Sequence, residues 1–393
     1  MKVITLSSSP WPFYDEDEII SVLNVLRSGK VNQWTGTEVE DFQKEFARFC
    51  GVKHAIALAN GTVALELALR GLGIGPGSEV IVTPRTFIAS ASCVALSGAV
   101  PVFADVNRDS QNIEPDAIEK TITPRTRAII AVHLAGWPCD MGPITSLAEK
   151  YSLKIIEDCA QAHGSRYKGQ LVGSLGDVSA FSFCQDKIMS TGGEGGMLLT
   201  NDDEVWEKCW SFKDHGKNYH KVQDKNPACG FRWLHDSFGT NYRMTEMQAA
   251  IGRIQLRKLS EWVEVRRRNA SIFNKELSQS QCVRITIPPP EFFHSYYKYY
   301  TFIRPERLKP EWNRDRILLA INKEGIPAFS GSCSEIYLEE AFTTSRFRHI
   351  GNLPVARELG ETSMMFLVHP TLSEKEIIEA VGVIKRILTK ASL

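Results

Sequence analysis

The sequence predicts an α/β fold: a large unit with a buried, mostly parallel sheet between helices, then a smaller α+β C-terminal unit. Three observations lead there. Short β-branched runs alternate with helix-period segments over the first two-thirds of the chain. Those runs lack strict two-residue alternation, as strands covered on both faces do. A long amphipathic stretch and the break Ile287-Pro-Pro-Pro290 then separate this region from a tail of different pattern. At 393 residues the chain exceeds the size at which one core saturates, so two domains are expected.

The elements follow in order. Ala55–Leu58 reads as a strand passing into a helix over Thr62–Leu72, and Glu79–Thr83 as a strand followed by a helix over Phe87–Ser97. Val102–Ala104, Arg127–Val132, Lys154–Glu157, Val178–Phe183 and Gly196–Thr200 complete a seven-stranded sheet. Turns such as Gly73-Ile-Gly-Pro-Gly77 put glycine at a helix end and proline before the next strand. From Met244, the spacing of Met247, Ala250, Ile254, Leu259 and Trp262 predicts a helix running to about Leu277. That helix, over 244–277, is expected to join domains at 1–256 and 257–393. Beyond it, Tyr299–Arg304 reads as a strand, and Glu311–Glu324 and Glu374–Thr389 as helices. No internal repeat interrupts the pattern.

Composition narrows the function. Lys and Arg total 46 against 46 Asp and Glu, and this balance argues against a nucleic-acid or anionic-membrane surface. Asn60, Gly61, Thr62 and Glu66 interrupt the longest apolar run, Ala55–Leu69, so no membrane span is expected. The start, Met1 to Pro10, holds too short an apolar stretch for a secretory signal. Nine cysteines without framework spacing fit reduced thiols. A soluble cytoplasmic protein is the expectation.

Several strand ends carry residues with chemical potential. Lys187 follows an apolar strand and precedes the glycine-rich turn Gly192-Gly-Glu-Gly-Gly196. A lysine whose ammonium form is disfavoured becomes a nucleophile and can form a Schiff base with an aldehyde cofactor; otherwise it is a solvated loop residue. Asp158 ends the strand Lys154-Ile-Ile-Glu-Asp, at the edge where α/β sheets bind ligands. It can pair with a protonated ring nitrogen or cap the next turn, and Gln161 can donate to a ring hydroxyl or close the loop. Asn60-Gly-Thr62 turns a strand into a helix whose free N–H groups suit a phosphate, and Ser182 can add a hydroxyl. Phe87, at another strand end, can stack on a planar group or fill the core.

Together the runs Asn60-Gly-Thr62, Thr83-Pro-Arg-Thr-Phe87, Glu157-Asp-Cys-Ala-Gln-Ala-His-Gly164, Phe181-Ser-Phe-Cys-Gln-Asp-Lys187, Gly193-Glu-Gly-Gly196 and Gly239-Thr-Asn-Tyr-Arg-Met244 form a set. In these motifs, and in their order, the chain resembles the DegT/DnrJ/EryC1/StrS family of nucleotide-sugar aminotransferases. The resemblance implies the fold type I of aspartate aminotransferase and pyridoxal 5'-phosphate (PLP) as cofactor. It places Lys187 as the lysine holding PLP, Asp158 as partner of the pyridinium nitrogen, and Gln161 beside the ring hydroxyl. It places Phe87 over the ring and Gly61, Thr62 and Ser182 on the phosphate. Asn241 matches an asparagine reaching the neighbouring subunit's phosphate, which implies a homodimer. His163 and His215 fall near the site.

The implied activity is ping-pong transfer of an amino group from L-glutamate to a keto carbon, C4 ahead of C3, of a nucleotide-linked 6-deoxyhexose. A PLP-dependent dehydratase or lyase and a non-catalytic sugar-nucleotide sensor are the alternatives; Lys187, where the dehydratases have histidine, speaks against the first. The chain departs from the family at Cys184-Gln-Asp-Lys187, where His-Pro-x-Lys is common, and in the segment Gly325–Tyr337 expected near the sugar nucleotide. Cys184 reads as a small buried side chain. No metal is expected, since Cys209, His215 and His220 lack ligand spacing. Arg266-Arg-Arg268 reads as a solvated helix face, and Trp206 and Trp210 as one packed face.

Overall fold

In the computed structural model, seven strands form the central sheet in the order 54–58, 196–200, 178–182, 154–158, 126–132, 79–82, 100–103. Only Gly196–Thr200 runs against the others. The structure describes residues 10–224, 230–343, 347 and 351–393. Residues 1–9, on which the expectation about a secretory signal chiefly rests, lie outside the described residues.

Both faces of the sheet are covered, which is why its strands carry no polar alternation. Ile56, Leu58, Val80, Val82, Ile130 and Ile156 face one core, packed with the helix Gly61–Gly71. Their neighbours Ala57, Met197 and Leu199, and Ile81, Ile129 and Ile155, face cores on the other side. Parallel strands deliver their carboxyl ends to one edge; of the sequence-predicted catalytic residues, Asp158 ends one strand and Lys187 lies five residues past the end of the next.

Two helices precede the first strand, Glu16–Ser28 and Glu38–Cys50. The first begins with a capping box between Asp15 and Glu18 and ends at Gly29 in the left-handed region. Both pack on the long helix, which runs unbroken from Glu246 to Leu277. Thr245 is its N-cap, so it starts two residues later than the periodicity predicts. Ala249, Leu256, Leu259 and Val263 in its first half share a core with Phe42, Phe46, Phe181 and Phe183. Ala270, Phe273 and Leu277 in its second half share another with Tyr299, Phe366 and Ile384.

The second core belongs to a four-stranded antiparallel sheet in the order 283–285, 299–303, 363–366, 328–329, backed by Arg314–Lys323 and Glu374–Ala391. Tyr300, Phe302 and Leu359 also reach the core of the large sheet. We propose that the 256/257 boundary divides the two larger sheets, which are linked by the long helix and by a small sheet that pairs Phe292–Phe293 with Arg166–Tyr167. Among the described residues no helix is long and apolar enough to cross a membrane.

One expectation about the long helix is overturned. Arg266 is not on a solvated face: it is 1% exposed, its guanidinium 4.8 Å from the Trp11 ring and its Nη1 donating to the Tyr297 carbonyl at 3.1 Å. The triple-arginine run crosses from the covered side of the helix to its rim. Trp206 and Trp210 do share one face, both packing edge-on against Tyr219.

Phe46 is fully buried, its ring centroid 5.0 Å from Phe181 and 5.5 Å from Phe183, on the strand leading to Lys187. Phe46→Ala should destabilise the chain by ~3–5 kcal/mol, read as a lower denaturant midpoint at unchanged m. A midpoint like that of wild type would mean the cluster contributes little.

Candidate active site

Past the strand His54–Leu58, the Asn60 side chain accepts a hydrogen bond from the Val63 N–H at 3.0 Å and starts the helix at Gly61. The first-turn N–H groups of Gly61 and Thr62 have no partner within the helix and form an anion seat. Ser182 closes it from the neighbouring part of the sheet. A Cβ on Gly61 would lie 2.6 Å from the Ser182 Cβ, so only glycine lets the two segments meet.

The floor is acidic. Asp158 is 5% exposed; its Oδ2 accepts from the Ser90 hydroxyl at 2.7 Å and its Oδ1 from the Ala160 N–H at 3.1 Å. Burial pushes this carboxyl above the usual carboxylate range, against those two donors and the positive charge of Lys187. Asp158 therefore does both things its sequence context allows, capping the next turn and lining the cleft. Gln161 uses its Oε1 to accept from the Ala135 N–H at 2.8 Å, which leaves its amide NH₂ available to donate.

Lys187 comes from the other side. It is not a solvated loop residue, because its side chain is only 17% exposed. Its Nζ lies 3.3 Å from Asp186 Oδ1 and 5.1 Å from the Tyr297 ring centroid. Its carbonyl accepts from the Trp11 indole N–H at 2.9 Å.

Gly61, Thr62, Phe87, Asp158, Gln161, Ser182 and Lys187 thus line one cleft of about 680 Å³. Phe87 stands at its edge, 68% exposed, and belongs to no core. Cys184 also lines the cleft and is half-buried, against the expectation of a buried side chain.

Other expected residues are not brought there. Asn241 is exposed and away from this cleft, its Oδ1 accepting from the Arg243 N–H at 3.2 Å. His215 is exposed at a left-handed φ of 62°. His163 is buried behind the wall, its ring 5.3 Å from Phe181 and 5.7 Å from Phe183. Burial lowers its pKa to about 3, so it is neutral.

The segment Gly325–Tyr337 is tied to the Phe87 loop. Arg85 Nη1 donates to Ser334 Oγ at 2.6 Å and to the Ser332 carbonyl at 3.3 Å, while the Ile336 N–H donates to the Pro84 carbonyl at 3.1 Å. Sequence reasoning missed Ser90, Asp186, Tyr297 and Trp11. Asp186 stood inside a motif already in view, whereas Tyr297 and Trp11 are distant in sequence and carry no local signal.

The cleft fits a planar, phosphate-bearing aldehyde. It has an anion seat that a side chain on Gly61 would fill, a buried acid whose direct hydrogen-bond donors are neutral, an aromatic edge and an amine. Comparison with known proteins agrees. The model of the DegT/DnrJ/EryC1/StrS aminotransferase family matches residues 12–385. The chain is 35% identical to the GDP-perosamine synthase of Escherichia coli O157:H7, over 87% of this chain and 88% of that protein. It is 33% identical to the dTDP-3-amino-3,4,6-trideoxy-alpha-D-glucose transaminase of Streptomyces venezuelae, over 93% and 90%. The solved aminotransferase of Psychrobacter cryohalolentis is 51% identical, with 98% of this chain and 99% of that one covered and a TM-score of 0.95. The architecture is that of the PLP fold type I aminotransferases, and PLP is the cofactor.

The sign of the Asp158 shift makes a prediction. With its pKa raised in the folded state, the folded chain keeps this proton longer than the unfolded chain does. Stability therefore falls as pH rises through that window and stays lower at neutrality. At pH 7 the cofactor-free Asp158→Asn protein should melt no lower than the cofactor-free wild type, while PLP binding weakens. A lower melting temperature with unchanged PLP affinity would contradict this.

Proposed function

The chain belongs to the DegT/DnrJ/EryC1/StrS aminotransferase family, and on that premise we propose that it moves an amino group from L-glutamate to a nucleotide-linked 6-deoxyhexose. The keto carbon we assign is C4, with C3 the alternative that the assay distinguishes. The observation that carries this reading is the meeting of Lys187 and Asp158 in one cleft, with the anion seat and Phe87 on the same walls.

When bound, PLP supplies a ring that withdraws electrons from the substrate carbon losing a proton. Asp158 holds a proton on the ring nitrogen, because an ionised carboxylate buried there is stabilised by a facing cation. Gln161 donates from its NH₂ to the ring hydroxyl. Gly61, Thr62 and Ser182 hold the phosphate through N–H and O–H donors, and Phe87 covers the ring. The Lys187 Nζ carries the cofactor at rest. As a free amine it would take the proton from the substrate carbon and return it, first as base and then as acid.

Among the groups lining the cleft, Asp158, Asp186 and Glu194 are acids and Lys187 is the one described base. A phosphate dianion therefore gains from donors outside this lining. Asn241 of a second copy is the donor we assign, so the working unit is a homodimer with shared sites. The described cysteines are all free, which supports a reducing, cytoplasmic setting.

A glutamate-dependent assay over nucleotide-linked 3-keto and 4-keto sugars, with products read by NMR, tests the substrate. Amination of 4-keto-6-deoxy sugars is expected, and a product without the transferred nitrogen would overturn the reading. Lys187→Ala should slow turnover about a thousandfold or more. Retention of more than about a tenth of the wild-type rate would remove Lys187 from the chemistry. Mixing Lys187→Ala with Asn241→Ala protomers should restore about a quarter of wild-type activity, since half of random dimers carry one intact site. No recovery on mixing would place Asn241 outside a shared site.

A further inference from the structure

Asp186 precedes the catalytic lysine in this chain's own Cys184-Gln-Asp-Lys187 run, and both its oxygens are engaged. Oδ1 lies 3.3 Å from Lys187 Nζ, and Oδ2 accepts from the Tyr297 hydroxyl. Tyr297 is itself fixed. It is buried, its N–H donates to the Ala135 carbonyl at 2.8 Å, and its carbonyl accepts from Arg266 at 3.1 Å. Arg266 lies under the Trp11 ring, and the Trp11 N–H returns to the Lys187 carbonyl at 2.9 Å. The contacts form a closed circuit, Lys187–Asp186–Tyr297–Arg266–Trp11–Lys187, with the amine on it and its carbonyl locked.

We propose that Asp186 is a positioning residue for Lys187: oriented by the Tyr297 hydroxyl, its carboxylate holds the Lys187 ammonium whenever that amine is not bonded to the cofactor. A freed lysine on a four-carbon stem is otherwise mobile. The other carboxylates lining the cleft are Asp158, which is committed to the ring nitrogen in the reading above, and Glu194. Asp186 keeps the proton carrier away from Asp158 and in reach of the reacting carbon. Asp186 is well suited to this: although burial opposes it, the charges of Lys187 and Lys298 and the Tyr297 hydroxyl hold its carboxyl below the usual range. The inference rests on Lys187 being the proton carrier and does not depend on which sugar is the acceptor.

The test uses the full chain, freed of cofactor and held at pH 8. Trinitrobenzenesulfonate, which attacks only neutral amines, labels Lys187, and the label is followed by peptide mass spectrometry. In Asp186→Asn the label should enter about threefold to tenfold faster, because the ammonium form has lost its counter-charge. Tyr297→Phe should lie between the two, and Asp186→Glu should restore the slow rate. Wild-type labelling in an Asp186→Asn protein of unchanged melting temperature would overturn the proposal. In the holoenzyme, Asp186→Asn should lower kcat about tenfold, with KM for donor and acceptor within about twofold. A raised acceptor KM at unchanged kcat would make Asp186 a substrate contact and also overturn it. Altered labelling together with failure to aminate any sugar would instead count against the substrate assignment alone.

Discussion

A carboxyl at the end of a central strand, out of water and hydrogen-bonded directly by neutral donors, is the constraint on which the site turns. Asp158 has a hydroxyl and one backbone N–H as direct donors, both neutral. Burying such a group is unfavourable, and a positive charge placed directly against it offsets that cost. In the proposed reading that charge is a protonated ring nitrogen. The same burial that makes Asp158 uncomfortable alone makes its interaction with a ring cation strong, since little water screens it.

The sheet makes the remaining geometry inexpensive to arrange. Its parallel strands end at one edge, so the anion seat, the acid and the lysine come from separate stretches of chain without long detours. The fine spacing comes from close approach of backbone: Gly61 lies against Ser182, and a Cβ on Gly196 would lie 2.3 Å from the Asn60 carbonyl. The rim is built differently. Arg85 is fully buried without a carboxylate partner, and burial lowers its pKa to about 10. It spends its donors on Gln111 and on the Ser332–Ser334 loop, which ties the divergent segment to the loop that carries Phe87.

Most strands and the long helix were legible because burial on both faces, or along one stripe, leaves a mark on hydrophobic order. The helices Glu16–Ser28 and Glu38–Cys50 are charge-rich, and their clearest marks are caps, Asp15 with Glu18 and the glycines at 29 and 51. Lys187, Asp158 and the residues beside them were legible because each sits in a local run at a strand end. Arg266 was not, since charge alone suggests solvent and only Trp11, some 250 residues away, shows what covers it. Tyr297 was hidden for the same reason: its meaning lies in a contact across the fold. Asn241 is exposed in a single chain, and its assignment needs a second copy.

The most direct test of the central claim is reduction of the PLP-loaded protein with borohydride, followed by peptide mapping in a mass spectrometer. The expected result is one reduced pyridoxyl adduct on the peptide bearing Lys187, and less of it at limiting PLP when Asp158→Asn weakens cofactor binding. An adduct on another lysine, or stoichiometric labelling spread over surface lysines, would contradict the account.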